Sequence, residues 1–295
     1  MLRYIFLLMK KSPLRYPGGK SRAVKFLKEY IPDFAECREP FFGGGSLSFY
    51  LIQHYQHKKF FASDLNYELY CFWRQLQKNK DDLIAGIQHL YHAYKKNMSN
   101  NDGKELFKLL LGRRNNNISE LERAIDFFVL NRITFSGVVD SGGFSQGSFE
   151  GRFTQSAIHR LNEASALIGN IDFFCEDYSY LINKGGENVF IFLDPPYYSA
   201  TRSKLYGKRG ILHTQFDHEE LFANLQNSKH HWLITYDNSD YIKRLYRDFY
   251  QLEWTLQYGM TNASSAKDNE LLIANYDLQN LHSSSSLTPI FASQL

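Results

Sequence analysis

The sequence predicts an α/β fold in which strands and helices alternate, with one long helical region between them. The run Val189-Phe-Ile-Phe-Leu193 is apolar at every position, which is typical of a parallel strand buried on both faces. Nearer the beginning of the chain, a short strand, a glycine turn, a helix and a second strand follow one another, which is the order of an α/β unit. Between about residues 81 and 131 the apolar residues keep helical spacing without any strand pattern.

The first α/β unit is predicted element by element from residue 20 onward. A helical pattern covers about residues 20–31, and Cys37–Phe41 is the first predicted strand. Ser46 is the expected N-cap of the next helix, whose apolar residues recur on one face. The second strand is predicted at Lys59–Ser63, and a further helix at about Tyr67–Gln77.

The helical region contains three successive patterns, separated by polar breaks at 97–103 and 113–117. The Gly/Ser/Phe-rich stretch from Thr134 to Phe153 then predicts a hairpin or a long functional loop. Strands resume after it. The predicted strands are Ile171–Cys175, Asn188–Leu193, Trp232–Tyr236 and Leu271–Tyr276.

Composition excludes several classes of protein. The 34 Lys and Arg against 31 Asp and Glu give a net charge of +3, which permits a nucleic-acid partner without establishing one. The three cysteines form no CxxC pair, which argues against a disulfide framework or a thiolate zinc site and favours a reducing compartment such as the cytoplasm. No apolar run approaches the ~20 residues of a membrane span, so no membrane partner is expected.

Both ends of the chain are expected to be flexible. Residues 1–11 lack a signal-peptide pattern, and we expect natural translation to start at Met9, since the patterned sequence begins after it. The Ser-rich segment from Ser283 to Pro289 predicts a disordered tail within residues 280–295.

The motif Asp194-Pro-Pro-Tyr197 directly follows the buried strand, at the strand end where ligand sites of open α/β sheets lie. Because the prolines have no backbone N–H, the motif offers a rigid rim of carbonyl and carboxylate acceptors beside an aromatic ring. Such acceptors suit an amino group on a planar ring, since they draw on its two hydrogens and favour a localised lone pair on nitrogen. The alternative is a rigid turn that Asp194 caps.

A glycine-rich loop, Glu39-Pro-Phe-Phe-Gly-Gly-Gly-Ser46, follows the first predicted strand. Asp64 stands about 20 residues beyond Gly43, at the end of the next strand, where an acid can pair with ribose hydroxyls. Three consecutive glycines do not make the dinucleotide fingerprint, so Gly43-x-Gly45 fits a cofactor that lacks a diphosphate. The alternative is a flexible turn with a capping aspartate.

A third motif, Leu14-Arg-Tyr-Pro-Gly-Gly-Lys20, ends like a phosphate-binding loop. That loop needs a glycine where Leu14 stands, so a Walker A site is excluded. Lys20 is expected to offer its ammonium group to a small carboxylate, and Tyr16 its ring or hydroxyl. The alternative is a tight turn with a solvated lysine.

Together these motifs resemble the Dam-like (D12 class) N6-adenine-specific DNA methyltransferases. The resemblance spans roughly Ser12 to Leu278. Its motifs occur in the family's order: Leu14–Lys20, Glu39–Ser46, Asp64–Asn66 and Asp194–Tyr197, with weaker matches at Asn131-Arg132, Phe135–Gly137, Glu176–Tyr178, Leu233–Tyr236 and Leu271–Tyr276. Tyr16 stands where members often carry tryptophan, so the aromatic character is kept.

The resemblance implies a Rossmann-like seven-stranded sheet that binds S-adenosylmethionine. The catalytic domain would comprise residues 12–79 and 169–279, and residues 80–168 would form a helical and hairpin insert that recognises the DNA target. The implied cofactor-binding residues are Tyr16, Lys20, Gly43, Gly45, Asp64, Asp177 and Asp194. Among them, Lys20 would bind the methionine carboxylate, Asp64 the ribose hydroxyls and Asp177 the adenine amino group.

The implied catalytic residues are Asp194, Pro195, Pro196 and Tyr197. Asp194 and the Pro195 carbonyl would accept hydrogen bonds from the target N6, while Tyr197 would stack on the base. The implied reaction is direct methyl transfer, which needs no metal. Because the target base is inaccessible inside a duplex, it would be flipped out into the pocket.

Candidate DNA-binding residues lie in the insert and in a basic loop after the catalytic motif. They are Arg113, Arg114, Asn116, Arg132, Arg152, Arg202, Lys204, Lys208 and Arg209. Arginine and asparagine suit guanine and adenine edges, and the basic loop suits phosphates. The alternative is that these residues are solvated helix ends and loop positions.

The predicted partner is double-stranded DNA, bound by a monomer; whether a cognate restriction endonuclease accompanies the protein is left open. One rival is a methyltransferase that acts on RNA or on another planar amine. A second rival is a catalytically silent DNA-binding regulator, against which the intact Asp194, Tyr197, Asp64 and Lys20 argue. A kinase or a dehydrogenase is excluded because its fingerprint is missing.

Overall fold

The computed structural model describes residues 10–16, 18–95, 100–199, 216–256, 268–279 and 281, and within these ranges seven strands form one sheet. The strands are β1 (Glu36–Glu39), β2 (Lys59–Ser63), β3 (Ile171–Phe174), β4 (Val189–Leu193), β5 (His231–Asp237), β6 (Tyr250–Leu256) and β7 (Asp268–Ala274). Their order is β3-β2-β1-β4-β5-β7-β6, and β7 runs antiparallel to both of its neighbours while the other pairs are parallel. The predicted α/β fold class is confirmed, and so is the seven-stranded sheet that the family resemblance implies.

The strand order places a crevice between β1 and β4. From β1 the chain continues to β2 and β3 on one side, and β4 and β5 lie on the other. The connections that leave the carboxyl ends of β1 and β4 therefore diverge, and ligands of open α/β sheets bind between them. Because β1 ends at Glu39 and β4 at Leu193, the glycine-rich loop and Asp194 flank this crevice.

Helices cover both faces of the sheet. They are α1 (Val24–Leu27), α2 (Ser46–His54), α3 (Tyr67–Lys78), α4 (Lys80–Lys95), α5 (Asn100–Arg113), α6 (Glu120–Ile133), α7 (Gln146–Gly151), α8 (Gln155–Ile168), α9 (Tyr178–Asn183), α10 (His218–Gln226) and α11 (Asp240–Leu245). Phe190 and Phe192 of β4 pack in one core, whereas Val189, Ile191 and Leu193 pack in the other. This division explains why the β4 sequence is apolar at every position.

The described residues between 80 and 168 are mostly helical, and they share a core with the sheet. Every residue of α6 from Ala124 to Ile133 is buried. The ring of Phe128 stacks on Phe72 of α3, with centroids 5.8 Å apart. A helix that is buried all round belongs to the interior of a larger unit. The inserted helices are therefore packed into the main body rather than around a core of their own.

Three local predictions were wrong. The helix expected over residues 20–31 is reduced to α1 and a 3₁₀ turn at Lys28–Tyr30, because Ile31 takes the extended conformation that the following proline favours. Ser46 is not the N-cap of α2; that position belongs to Gly45, in the left-handed region at φ 63°. The stretch from Thr134 to Phe153, predicted as a hairpin or a long loop, contains one antiparallel bridge between Thr134 and Phe144, but it also contains a 3₁₀ turn at Phe135–Gly137 and the helix α7, which was not predicted.

Strand β6 was missed, although its sequence carries a signal. From Tyr250 to Leu256 apolar and polar residues alternate, which is the pattern of a strand with one buried face. Trp254 is buried there, and β6 forms the edge of the sheet beside β7. The alternation lacks the continuous apolar run that marks β4.

The two terminal segments that were expected to be flexible, residues 1–11 and 280–295, lie partly within the described ranges. Lys10, at the end of the segment expected to be flexible, exchanges two backbone–side-chain hydrogen bonds with Gln53, each 2.9 Å long. Residues 1–9 and 282–295 lie outside the described residues. Among the helices described, none has both the length and the apolar character needed to cross a membrane.

Candidate active site

Asp194 follows β4 directly, and two side chains fix its carboxylate. Thr235, on the neighbouring strand β5, donates a hydrogen bond from Oγ1 to Asp194 Oδ1 at 2.7 Å. Lys20 Nζ lies 3.0 Å from the same oxygen. The Asp194 side chain remains 21% exposed. It is therefore held in place by the protein and still accessible to a ligand.

Lys20 is a buried cation between two carboxylates and a phenol. Its side chain is 4% exposed, and Nζ lies 3.0 Å from Asp194 and 3.7 Å from Oε1 of Glu270, a buried residue of β7. Nζ also donates to the Tyr197 hydroxyl at 2.7 Å and stands 4.8 Å from the centre of that ring. Such pairing offsets the cost of desolvating the charge. The first and last sequence motifs thus meet at this amine.

Asp64 holds the glycine-rich loop against the end of β2. Its Oδ2 accepts a hydrogen bond from the Gly43 N–H at 2.9 Å, and its Oδ1 accepts one from the Asn66 N–H at 3.0 Å. Burial raises the pKa of Asp64 to about 6, although these two hydrogen bonds oppose the rise. The carboxylate therefore occupies a backbone donor that a phosphate group would otherwise need.

Tyr16 packs on the glycine-rich loop, and this contact explains why residue 43 is a glycine. Gly43 has a φ of 48°, and a Cβ built on it would lie 2.7 Å from Cε1 of Tyr16. Any larger residue would be strained in this conformation and would also displace the ring. Gly45 has a positive φ as well and touches the ring of Phe42. The loop and the Tyr16 segment form one unit.

Glu39 lies between these two groups of residues, and no separate role was predicted for it. It is buried at the end of β1 and accepts a hydrogen bond of 2.5 Å from the Ser48 hydroxyl. Burial raises the pKa of Glu39 to about 8, and the charges of Asp194 and Asp64 act in the same direction. Glu39 ends β1, which pairs in parallel with both β2 and β4, so the acids at these three strand ends lie at one edge of the sheet.

Asp177 follows β3 and caps helix α9. Its Oδ1 accepts a hydrogen bond from the Ser179 N–H at 2.9 Å. The preceding turn is tied to β2, because the Ser63 hydroxyl donates to the Glu176 carbonyl at 2.6 Å. Asp177 lies at the same edge of the sheet as Asp64, since both follow neighbouring parallel strands.

The segment after the Asp194–Tyr197 motif is anchored to β5. Pro195 is buried and Pro196 half-buried. The backbone N–H of Tyr198 donates to Asp237 Oδ1 at 2.7 Å, and that ring stacks on Tyr241 with centroids 4.3 Å apart. Anchoring on both sides of Tyr197 restricts where its ring can lie.

Sequence reasoning assigned no role to three residues that hold this site: Thr235, Asp237 and Glu270. Thr235 and Asp237 are polar positions in and at the end of the largely apolar β5, and Glu270 is a buried carboxylate in β7. Because burying a polar group without a partner is costly, such positions point to a structural or functional partner nearby. Asp237 and Glu270 also face each other in the register of β5 and β7.

Two of the predicted DNA-binding arginines are occupied inside the protein. Arg113 forms a bidentate pair with Asp126, with Nε–Oδ2 at 3.0 Å and Nη2–Oδ1 at 2.5 Å. Arg114 pairs with Glu68 and, at 2.6 Å, with Asp140. Their role as DNA contacts stays a prediction, which the carboxylates on these two side chains do not favour.

The remaining predicted DNA contacts are placed differently. Asn116 is exposed, and its carbonyl accepts a hydrogen bond of 3.3 Å from Arg123. Arg132 and Arg152 line one cavity, in which Arg132 is buried and Arg152 exposed. The basic-loop residues Arg202, Lys204, Lys208 and Arg209 lie outside the described residues.

The sequence model of the D12 class N6 adenine-specific DNA methyltransferases matches residues 16–260 of this chain, which is most of its length. The chain belongs to this family. The matched range contains the glycine-rich loop, the helical region and the Asp194 motif. The family resemblance inferred from the motifs is confirmed.

Individual relatives agree with this membership. Type II methyltransferase M.MjaIII of Methanocaldococcus jannaschii is 24% identical over 89% of this chain and 98% of its own length. Type II methyltransferase M.CviBI of Paramecium bursaria Chlorella virus NC1A is 25% identical over 90% of this chain and 100% of its own length. The DNA N-6-adenine-methyltransferase of Escherichia phage P1 is 25% identical over 81% of this chain, which spans only 31% of that protein.

Membership defines the activity as site-specific methylation of adenine N6 in DNA. The rival methyltransferase acting on RNA or on another planar amine is thereby set aside. The reaction requires a methyl donor, and the acceptor is an exocyclic amine, the group that the Asp194 motif predicts.

Proposed function

We propose that the methyl donor is S-adenosylmethionine and that the acceptor is an adenine flipped out of double-stranded DNA. The observation that carries this proposal is the Asp194 carboxylate, fixed by Thr235 and Lys20 directly beside the Tyr197 ring. A fixed acceptor next to a flat ring suits a planar amine that must be oriented for attack. Only a base outside the duplex can reach such a crevice.

The glycine-rich loop fits a nucleoside cofactor without phosphates. Asp64 already occupies the Gly43 N–H, so a negatively charged diphosphate would meet a carboxylate there. In this proposal Asp64 accepts from the ribose hydroxyls, and Gly43 and Gly45 lie along the methionine portion, with Tyr16 packed behind them. Asp177 accepts from the cofactor's adenine amine. When bound, the cofactor supplies a methyl group carried on a positively charged sulfur.

Lys20 has two candidate tasks, and its present contacts support one of them directly. Its amine is engaged by Asp194, Tyr197 and, at 3.4 Å, the Gly18 carbonyl. It therefore positions the catalytic carboxylate and phenol. Binding the methionine carboxylate as well would require Lys20 to exchange one of these partners.

The Asp194 motif would make the target amine a better nucleophile. Asp194 and the Pro195 carbonyl accept the two N6 hydrogens, Pro196 keeps the rim rigid, and Tyr197 stacks on the base. The nitrogen would form its bond to the methyl carbon as the bond from that carbon to the cofactor sulfur breaks, which leaves a neutral thioether. The methylated nitrogen would then lose one proton, for which the Asp194 carboxylate that accepts its hydrogen bond is the acceptor. Alignment and polarisation supply the acceleration, with no covalent enzyme intermediate.

Residues 80–168 are proposed to recognise the DNA target, with the protein acting as a monomer. Two features of this region support a contact with nucleic acid: the cavity shared by Arg132 and Arg152, and the ring of Phe135, which is 62% exposed. Arg113 and Arg114 are engaged internally, and Asn116 lies in an exposed turn from which it can reach outward. The basic loop that contains Arg202, Lys204, Lys208 and Arg209 is proposed to contact phosphates.

The test is methyl transfer to unmethylated duplex DNA from methyl-labelled S-adenosylmethionine, followed by digestion and mass spectrometry of the nucleosides. Labelled N6-methyladenine is expected from the wild type and from the matched control Asp172→Asn, whose side chain is exposed on β3. Asp194→Asn is expected to yield none above a small residual level. Cofactor binding without transfer to any duplex would contradict the proposed acceptor, and a lack of cofactor binding would contradict the proposed donor.

A further inference from the structure

A cavity of about 360 Å³ lies between the N-terminal segment and the helices α6, α7 and α8, outside the crevice of the catalytic motif. Four arginines line it: Arg15, Arg132, Arg152 and Arg160. They come from four separate parts of the chain, so only the fold brings them together. We call this cavity the arginine pocket. Since a water molecule takes ~30 Å³ in the liquid, the pocket has room for a polyatomic anion.

Arg132 is the innermost of these cations. It extends from α6 and is 3% exposed, and its Nε has no hydrogen-bond partner among the residues that the structure describes. Its guanidinium lies 5.2 Å from the centre of the Phe128 ring. Burial, together with the charges of the other three arginines, lowers the pKa of Arg132 to about 9. A buried cation that keeps an unused donor lacks the anion that normally accompanies such a group.

No acidic side chain compensates the pocket within the described part of the chain. None of the ion pairs found there includes any of the four arginines. Arg15 uses its Nη1 on uncharged acceptors, the Thr134 carbonyl at 3.3 Å and the Ser148 hydroxyl at 3.2 Å. Like charges are thus held together by the fold without internal neutralisation.

Helix α8 adds to the positive potential. Its N-cap Thr154 and its residue Ser156 both line the pocket. The first turn of a helix of this length presents backbone N–H groups and the positive end of the helix dipole. The combination of a helix N-terminus, two hydroxyls and a buried arginine with an unused donor is the chemistry of a phosphate site.

We propose that the arginine pocket binds a phosphate group, and that this group belongs to the DNA backbone close to the target base. The proposal rests on the methyltransferase function proposed above. Arg15 directly precedes Tyr16, whose ring packs on the glycine-rich loop, so the pocket adjoins the candidate active site along the chain. Arg15 also donates to the carbonyl of Thr134, the neighbour of the exposed Phe135, so a pocket arginine is bonded to the segment that carries an exposed ring of the kind that nucleic acids contact.

The test compares Arg152→Gln and Arg160→Gln with the wild type. Arg152 is exposed and Arg160 half-buried, so these variants avoid the buried Arg132. The matched control is Arg247→Gln, whose side chain is 78% exposed and lies outside the pocket. Duplex affinity is measured over a series of salt concentrations. Each pocket variant is expected to weaken binding on every duplex sequence and to reduce the slope of log affinity against log salt by about 0.9, whereas the control keeps the wild-type slope.

A second arm uses inorganic phosphate as the probe and follows the melting temperature of each protein. Phosphate is expected to raise that of the wild type and of Arg247→Gln more than that of the pocket variants. A phosphate effect with unchanged duplex slopes would overturn the assignment to DNA, and unchanged slopes without a phosphate effect would overturn the site itself. Methyl transfer to adenine by the wild type is measured in parallel. If the wild type transfers methyl groups but the pocket variants keep the wild-type salt slope, only the pocket proposal is rejected. If the pocket variants have reduced slopes but the wild type transfers no methyl group, only the methyltransferase proposal is rejected.

Discussion

The candidate active site and the arginine pocket treat buried charge in opposite ways. At the active site Lys20 is surrounded by Asp194, Glu270 and the Tyr197 hydroxyl, so its charge is compensated within the protein. In the pocket Arg132 is equally buried, yet its charged neighbours are three more arginines. The first arrangement fixes groups in advance of the substrate, and the second has to be completed by an anion from outside. A buried charge that is paired within the protein therefore positions other groups, whereas a buried charge among like charges binds a ligand of opposite charge.

The largest expected effect comes from removing the charge of Asp194. Asp194→Asn keeps the size of the side chain but removes the anionic acceptor, and we expect the rate of methyl transfer to fall by about 10²–10³-fold. The variant should stay folded, because Lys20 retains Glu270 and Tyr197 as partners. Single-turnover transfer and thermal unfolding measure the two properties. Loss of the fold, or undiminished transfer, would contradict the assigned role.

Arg113, which is paired with Asp126, is compared with Arg152 of the arginine pocket in its effects on stability and on DNA binding. Arg113→Gln leaves Asp126, whose side chain is 1% exposed, without its bidentate partner, and we expect a loss of about 3 kcal/mol in the free energy of unfolding. The salt dependence of DNA binding should not change, in contrast to Arg152→Gln. Urea unfolding and a salt series check both statements. A reduced salt slope would show that Arg113 contacts DNA, as the sequence predicts.

Gly43→Ala tests the rigid contact between Tyr16 and the glycine-rich loop. At a φ of 48°, and with the new Cβ 2.7 Å from the Tyr16 ring, the substitution should cost about 2 kcal/mol and weaken cofactor binding. Gly112→Ala is the matched control, because Gly112 stands in α5 and a Cβ added there would meet no atom of the described residues within 4 Å. That change should stabilise the protein by up to ~1 kcal/mol. Similar unfolding curves for the two variants would exclude the strain argument.

Thr235 is expected to be a positioning residue that acts through Asp194. Thr235→Val removes the 2.7 Å hydrogen bond with little change in volume, and we expect kcat to fall about tenfold with a small change in KM. Thr235→Ser should restore most of the rate, because it keeps the hydroxyl. In the Asp194→Asn background the valine substitution should have less effect. Additive losses in the double variant would show that Thr235 acts independently of Asp194.

Glu39 is expected to make stability depend on pH. Burial raises its pKa from 4.5 to about 8, so between these values the folded protein binds more protons than the unfolded chain, and stability falls as the pH rises. Glu39→Gln should reduce this decline while keeping an acceptor for Ser48. At pH 8 the melting temperature of Glu39→Gln should rise relative to that of the wild type. The rise should be about 2–4 °C for each 1 kcal/mol that burying the ionised Glu39 carboxylate costs the wild type. Parallel pH profiles of the two proteins would disprove the assignment.

Elements with a strong local pattern were predictable. The strands Lys59–Ser63 and Val189–Leu193 lie where the sequence predicts them, because uninterrupted apolar or β-branched runs between turn signals depend on near neighbours only. The same holds for the glycine-rich loop and for Asp194 at a strand end. The four-residue α1 and the edge strand β6 were less predictable, since Pro32 and the pairing with β7 decide them.

The sequence by itself determined the fold class and the order of the motifs, and it predicts the acceptor chemistry of Asp194-Pro-Pro-Tyr197. The tertiary structure decided which charges meet. Lys20 and Asp194 are far apart along the chain, and they meet only because the fold places the turn before α1 against the carboxyl end of β4. Arg113 and Arg132 look alike in the sequence, yet Asp126 pairs with the first and three arginines surround the second. Coulomb energies depend on distance in space and on burial, and neither can be read from positions along a chain.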